Sequence, residues 1–204
     1  GSNGAGKSTT INILLGFLNP NSGEAFINGI NAVSEKLKTR KSIGYIPENV
    51  NLYPYLTGIE NLDYFCKLAG KNYSLEKLKD ILSECGLDLI SLDKKLDTYS
   101  KGMRQKVGIA IAIAKEANVY LLDEPASGLD PRYTKLLKDW IKNLAVNGRT
   151  VLLSTHIIEM AENLCTKVAI IDRGKLLAVG TVQEIQASTG VNNLEDAFLR
   201  LIGD

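Results

Sequence analysis

The sequence predicts an α/β fold: a mostly parallel sheet covered by helices on both faces, with an α-helical segment inserted in it. Three observations carry this. Short strands that are apolar throughout, "VYLLD", "TVLLST" and "KVAIID", alternate with helical stretches, the pattern of strands buried on both faces. The chain opens on "GSNGAGKST", which fits G-x-x-x-x-G-K-S/T as Gly1, Gly6, Lys7 and Ser8. Between Thr57 and about Leu96 the texture turns wholly helical before strand and helix alternation resumes.

Taken in order, "STTINILLGFL" from Ser8 to about Leu18 suits a helix broken by Asn19-Pro20. "GEAFINGI" alternates and contains Asn28-Gly29, a pair favoured in tight hairpins. A short helix is expected over Val33 to Lys41, and "SIGYIP" reads as a strand stopped by Pro47. In the helical block, Thr57 is an N-cap with Glu60 three residues on and Gly70 as the stop. Ser74 and Gly86 repeat that plan, and the inserted segment is expected to span about residues 49–104 of a 1–204 domain. "MRQKVGIAIAIAKEA" forms a long helix, followed by "VYLLD", the helix "RYTKLLKDWIKNLAV", "TVLLST" and the helix "IIEMAENLC". "KVAIID" and "KLLAVG" close the series around a turn at Arg173-Gly174.

Composition narrows the chemistry. Hydrophobic residues at 45% suffice for a sizeable core, and a formal charge of +1 gives no global pull toward nucleic acid or anionic lipid. Cys66, Cys85 and Cys165 are odd in number and share no Cys-x-x-Cys spacing, so neither a disulfide framework nor a zinc site is expected. The longest uncharged apolar run, "VGIAIAIA", is far short of the roughly 20 residues that span a bilayer. The pattern suits a cytoplasmic protein, peripheral at most on the inner face of a membrane.

Four segments carry candidate chemistry. In the opening loop glycines let backbone N–H groups approach phosphates, and the next helix adds its positive end. Lys7 would neutralise phosphate oxygens and the Ser8 hydroxyl would ligate magnesium; the plainer reading is a glycine-rich helix start. "VYLLDEP" delivers two carboxylates at a strand's C-terminal end, the edge where ligands sit in open α/β sheets. Asp123 would hold magnesium and Glu124 would act as general base toward water; alone, the pair could be solvated acids. In "YSKGMRQKV", Ser100 opens a second helix with exposed N–H groups, which is either an anion site or an ordinary serine cap. His156 is the single histidine, at the end of "LLSTH", where an imidazole could meet a γ-phosphate.

In this order the segments resemble the nucleotide-binding domain of ATP-binding-cassette (ABC) transporters over essentially the whole chain. "GYIPENVNLYPYLTGIENL" and "YSKGM" look most like ATPase subunits of exporters of drugs, peptides, polysaccharides or sodium. The resemblance implies a phosphate-loop NTPase fold and an Mg-dependent ATPase that powers export through a separate integral membrane permease. Gly1, Ser2, Asn3, Gly4, Ala5, Gly6, Lys7, Ser8 and Thr9 would form the Walker A loop. Asp123 would be the Walker B aspartate, Glu124 the catalytic glutamate and His156 the switch histidine. Ser100 and Gly102 match the signature that binds ATP held by a second ATP-binding subunit in a head-to-tail dimer, and Asp130 lies in the D-loop that communicates across it.

Three departures stand out. Lys101 and Met103 replace the usual signature glycine and glutamine, with Lys101 either adding charge near phosphates or pointing to solvent. Glu48 stands where a magnesium-sensing glutamine is usual. The strand that should precede the loop, the antiparallel strands of the family and the adenine-stacking aromatic are expected to be missing, and Tyr45, Tyr53, Tyr55 and Tyr64 offer no replacement. Trp140 is expected to pack on the sheet. Two other readings stand beside the transporter: a non-transport ABC ATPase acting on nucleic acid or ribosomes, and a folded but catalytically incompetent fragment.

Overall fold

A computed structural model describes residues 1–203; Asp204, within the expected 1–204 domain, lies outside the described residues. The chain forms two compact units, one made of Gly1–Lys36 and the chain from Leu153 onward, the other of Leu37–Leu152.

In the first unit, α1 (Lys7–Leu14) follows the glycine-rich loop. It stops short of the predicted Leu18 because Gly16 adopts φ +65, and the N–H groups of Phe17 and Leu18 turn back onto the Asn12 carbonyl. A side chain at residue 16 would fall 2.6 Å from the Ala32 carbonyl, so glycine is required there. β1 (Phe26–Ile27) and β2 (Ile30–Asn31) pair antiparallel around Asn28 (φ 51) and Gly29 (φ 76), the doubly left-handed turn expected of Asn-Gly. Asn31 Oδ1 accepts from the N–H groups of Val33 and Ser34, which holds those residues in a turn and delays α2 to Lys36–Lys41.

Further along the first unit, α8 (Ile158–Leu164) precedes β6 (Val168–Asp172) and β7 (Lys175–Gly180), an antiparallel hairpin turned by Arg173 (φ 45) and Gly174 (φ 75). Two helices without a counterpart in the sequence reading follow, α9 (Val182–Thr189) and α10 (Leu194–Ile202). Each carries a start signal: Thr181 and Glu184 form a reciprocal capping box, and Asn193 accepts from the N–H of Asp196. Ile170 of β6, Val182 and Ile185 of α9, and Leu194 and Ala197 of α10 bury a common core.

In the second unit, β3 (Ile43–Ile46) pairs parallel with β4 (Val119–Asp123), with Ile43 opposite Val119 and Ile46 opposite Leu122. β4 is buried along its whole length, as expected, and lies between β3 and β5 (Thr150–Ser154). β5 departs from expectation. Its residues alternate in exposure and Leu152 is 38% exposed, so one face of the strand is less covered than the other; among the described residues β5 pairs with β4 alone. Opposite Tyr120 stands Gly44, where a side chain would lie 2.6 Å from the tyrosine ring. The ring instead meets Trp140 edge-on at 5.4 Å, so the tryptophan packs on the sheet as expected.

The helical block comprises α3 (Gly58–Leu68), α4 (Leu75–Glu84), a short α5 (Leu89–Leu92), a 3-10 turn at Leu96–Thr98, and α6 (Lys101–Lys115). Thr57 and Glu60 form the predicted capping box and Ser74 Oγ accepts from the Lys77 N–H, contacts each worth about 1 kcal/mol. Ile59, Leu62, Leu78, Leu82, Leu92, Val107 and Ala110 share one core around Tyr99, which is 2% exposed and donates its hydroxyl to the Ser91 carbonyl at 2.5 Å.

Three helices meet at Gly86. Lys106 of α6, 9% exposed, donates to the Gly86 carbonyl at 3.1 Å and sits 3.0 Å over the ring of Tyr133 in α7 (Pro131–Val146). A side chain at residue 86 (φ +80) would fall 1.8 Å from that ring, whereas one at Gly70 (φ +76) would meet open space. Gly70→Ala carries left-handed strain of about 1 kcal/mol and Gly86→Ala that strain plus displacement of the ring, about 2–4 kcal/mol in all. Urea unfolding checks this; equal midpoint shifts for the two variants would contradict the packing of Tyr133 on Gly86.

Candidate nucleotide site

The opening loop folds against the β6–β7 hairpin of its own unit. Ser2 Oγ donates to Asp172 Oδ1 at 2.9 Å, the Gly174 N–H donates to the Ala5 carbonyl at 3.0 Å, and Ala5 is 1% exposed. Gly1 is fixed by space, since a side chain there would lie 2.3 Å from the Ile171 carbonyl. Gly4 and Gly6 take φ +77 and +105, and around both the volume a side chain would fill is open or nearly so. Gly6 is the N-cap of α1 and brings no capping side chain to its N–H groups. Lys7 curls back over the loop, its Nζ donating to the carbonyls of Gly1 at 2.7 Å and Ser2 at 3.1 Å. A concave loop, left-handed glycines whose side-chain space is clear, an ammonium group and a helix start without a side-chain cap together fit a polyphosphate. Ser8 is half-buried on the first turn, while Asn3 and Thr9 are exposed at the rim. His156 also belongs to this unit, where it is exposed just ahead of α8.

The remaining candidates lie in the second unit. Asp123 ends β4 and is 4% exposed; Glu124 follows at 7%. Glu124 takes φ 47, a left-handed conformation that costs a non-glycine residue on the order of 1–3 kcal/mol and tends to occur where function demands a fixed geometry. Tyr45 of β3 stands near Asp123: burial, and then the negative charge of Asp123, push its phenol above the ordinary tyrosine value. Glu48, proposed from sequence as a magnesium ligand, is exposed on a bend after β3. Among the described residues no group of three or more His, Cys, Asp or Glu side chains is placed to hold a metal. The expected set of Ser8, Asp123 and Glu48 includes a hydroxyl and leaves coordination positions for phosphate and water, which suits magnesium rather than an all-protein cage.

Ser100 is the N-cap of α6, its Oγ accepting from the Met103 N–H at 3.2 Å. Lys101 is exposed, and its Nζ donates to Ser127 Oγ at 3.0 Å. Gly102 packs against the loop after β4, and Asp130 caps α7, its Oδ1 accepting from the N–H groups of Arg132 and Tyr133 at 3.0 and 3.1 Å. The phosphate loop and His156 thus belong to one unit, and both carboxylates, the Ser100–Gly102 helix start, Asp130 and Glu48 to the other.

Sequence reading considered Tyr45 only as an adenine-stacking replacement and gave Gln105 and Asp172 no role. Asp172 carried the same signal as Asp123, an acid at the end of an apolar strand. Tyr45 and Gln105 carried none, because a tyrosine in a strand and a glutamine in a helix are ordinary until their neighbours are known.

Residues 1–127 match the family model described as ABC transporter. A Bacillus subtilis protein, "Uncharacterized ABC transporter ATP-binding protein YdbJ", is 41% identical over 190 residues, covering 93% of this chain and 61% of its own length. The daunorubicin/doxorubicin resistance ATP-binding protein DrrA of Streptomyces peucetius is 37% identical over 95% of this chain and 59% of its own. The chain therefore spans about three fifths of these curated relatives. Among solved structures, an ATP-binding subunit of an ABC transporter superposes with a TM-score of 0.90 at 34% identity, covering 98% of this chain and 85% of the other. The ATP-binding cassette MJ0796, solved as a dimer in a post-hydrolysis state with ADP and Pi, gives a TM-score of 0.80 at 26% identity over 88% of this chain and 82% of its own.

Proposed function

The chain belongs to the ABC transporter family and has the fold of its ATP-binding subunit, and from that premise we propose that it hydrolyses ATP to power export through a separate integral membrane permease. The observation that carries this reading is the phosphate-shaped glycine loop of the first unit, Gly1–Thr9 with Lys7; the second unit carries, for its part, two buried carboxylates at the end of β4. Lys7 and the loop N–H groups bind the β- and γ-phosphates. Ser8, Asp123 and Glu48 hold magnesium, which when bound neutralises phosphate charge and orients the nucleotide. Glu124 accepts the proton of the attacking water, and His156 contacts the γ-phosphate. Such a site works by positioning and charge stabilisation, as phosphoryl transfer requires.

Two copies associate head to tail, with Ser100 and Gly102 of each meeting the ATP of the other and Asp130 reporting between them. The dimeric state of the cassette MJ0796 supports the association of two copies. The permease would sit across the membrane, since no described helix is long and apolar enough to cross one. DrrA, named for drug resistance, favours export. No observation favours nucleic acid or ribosomes as partner, and the near-zero net charge weighs against them.

The test is the company the protein keeps in its cell. Affinity purification of the full-length protein from detergent-solubilised membranes is expected to bring down one multi-span permease in stoichiometric amount. Recovery with ribosomes or DNA, and no membrane protein, would overturn the transport reading.

A further inference from the structure

Glu124 sits in a left-handed conformation that nothing in its own side chain favours, so its surroundings must impose it. Within its loop the Ser127 N–H donates to the Glu124 carbonyl at 3.0 Å and the Leu129 N–H to the Ala126 carbonyl at 3.1 Å. Further contacts to the same loop come from one face of α6. Gln105, 1% exposed, donates Nε2 to the Pro125 carbonyl at 3.1 Å in a buried bond. One turn earlier, Lys101 Nζ donates to Ser127 Oγ at 3.0 Å, and its stem lies 3.2 Å from where a side chain on Gly128 would begin. Beside it, Gly102 admits the Gly128 carbonyl to within 2.6 Å of the place a side chain on residue 102 would occupy.

From these contacts we infer that the start of α6 is a clamp within its own subunit: Gln105, Gly102 and Lys101 grip Pro125, Ser127 and Gly128 and so fix the direction in which the Glu124 carboxylate leaves β4. Gln105 is the principal positioning residue. Its partner, the Pro125 carbonyl, accepts this bond in a buried setting, where a carbonyl needs a donor. An apolar residue at 105 could fill the same space but not supply that donor. Gly102 is then required on steric grounds in its own chain, whatever it meets in a partner. The clamp rests on the reading of Glu124 as general base.

Gln105→Met in the full-length protein keeps the volume and removes the donor. The expected result, by single-turnover and steady-state ATP hydrolysis, is kcat about tenfold lower with KM for ATP within twofold, since a displaced group costs rate rather than binding. In a Glu124→Gln background the same substitution is expected to change nothing further, because the group it positions is already gone. Undiminished kcat in folded Gln105→Met, or a loss that adds in full to that of Glu124→Gln, would overturn the clamp. Failure of the base assignment looks different: Glu124→Gln alone would then hydrolyse ATP normally. Should Gln105→Met not fold, the exposed Lys101 decides. Lys101→Met is expected to lower kcat about threefold, a loss that vanishes in a Ser127→Ala background; full activity in Lys101→Met would overturn the clamp.

Discussion

Replacing Glu124 by Gln is expected to leave ATP binding intact and to lower hydrolysis by at least about 100-fold, the usual contribution of a positioned general base. The amide keeps the shape of the carboxylate and removes only its capacity to take a proton. Glu124 is 7% exposed at the end of a strand buried throughout, so an isosteric change spares the packing around β4. The left-handed backbone is equally tolerable to glutamine, because the strain lies in φ and not in the charge. Thermal unfolding within about 2 °C of the unsubstituted protein would confirm that only chemistry was touched. Hydrolysis at the original rate in that variant would remove Glu124 from the mechanism.

Lys7→Ala is expected to act one step earlier, on binding. A charge-assisted hydrogen bond is worth about 1.5–3 kcal/mol, so loss of the ammonium should weaken ATP about tenfold to 100-fold by calorimetry. The fold should lose less. Lys7 donates to the carbonyls of Gly1 and Ser2, both only half-buried, and water can replace it there at a cost of about 1 kcal/mol. Unchanged ATP affinity would contradict the reading of residues 1–9 as a phosphate loop.

Much of this was legible in the residues because each signal was local. Asn28-Gly29 and Arg173-Gly174 make the turns their dihedral preferences require, and Thr57, Ser74 and Ser100 cap the helices they precede. The phosphate loop and the carboxylates at the end of β4 were recognisable by type and spacing. What stayed hidden was tertiary. The end of α1 depends on a glycine whose side-chain space is taken by the Ala32 carbonyl, 16 residues further along the chain and in no readable relation to it. The exposure of Leu152 depends on what packs on its face of β5, and an apolar run cannot report that. Lys101 looked like a choice between phosphate and solvent, yet it bonds Ser127, 26 positions away. Gln105 looked like filler in an apolar helix and instead holds the carbonyl next to Glu124.

On the proposed reading a second copy completes the nucleotide site, which would make association depend on ATP itself. Sedimentation velocity on full-length Glu124→Gln, which binds ATP and cannot spend it, measures that dependence. With ATP the protein is expected to run as a dimer, and with ADP or no nucleotide as a monomer. A monomer at saturating ATP would contradict the shared site, and with it the roles assigned to Ser100, Gly102 and Asp130.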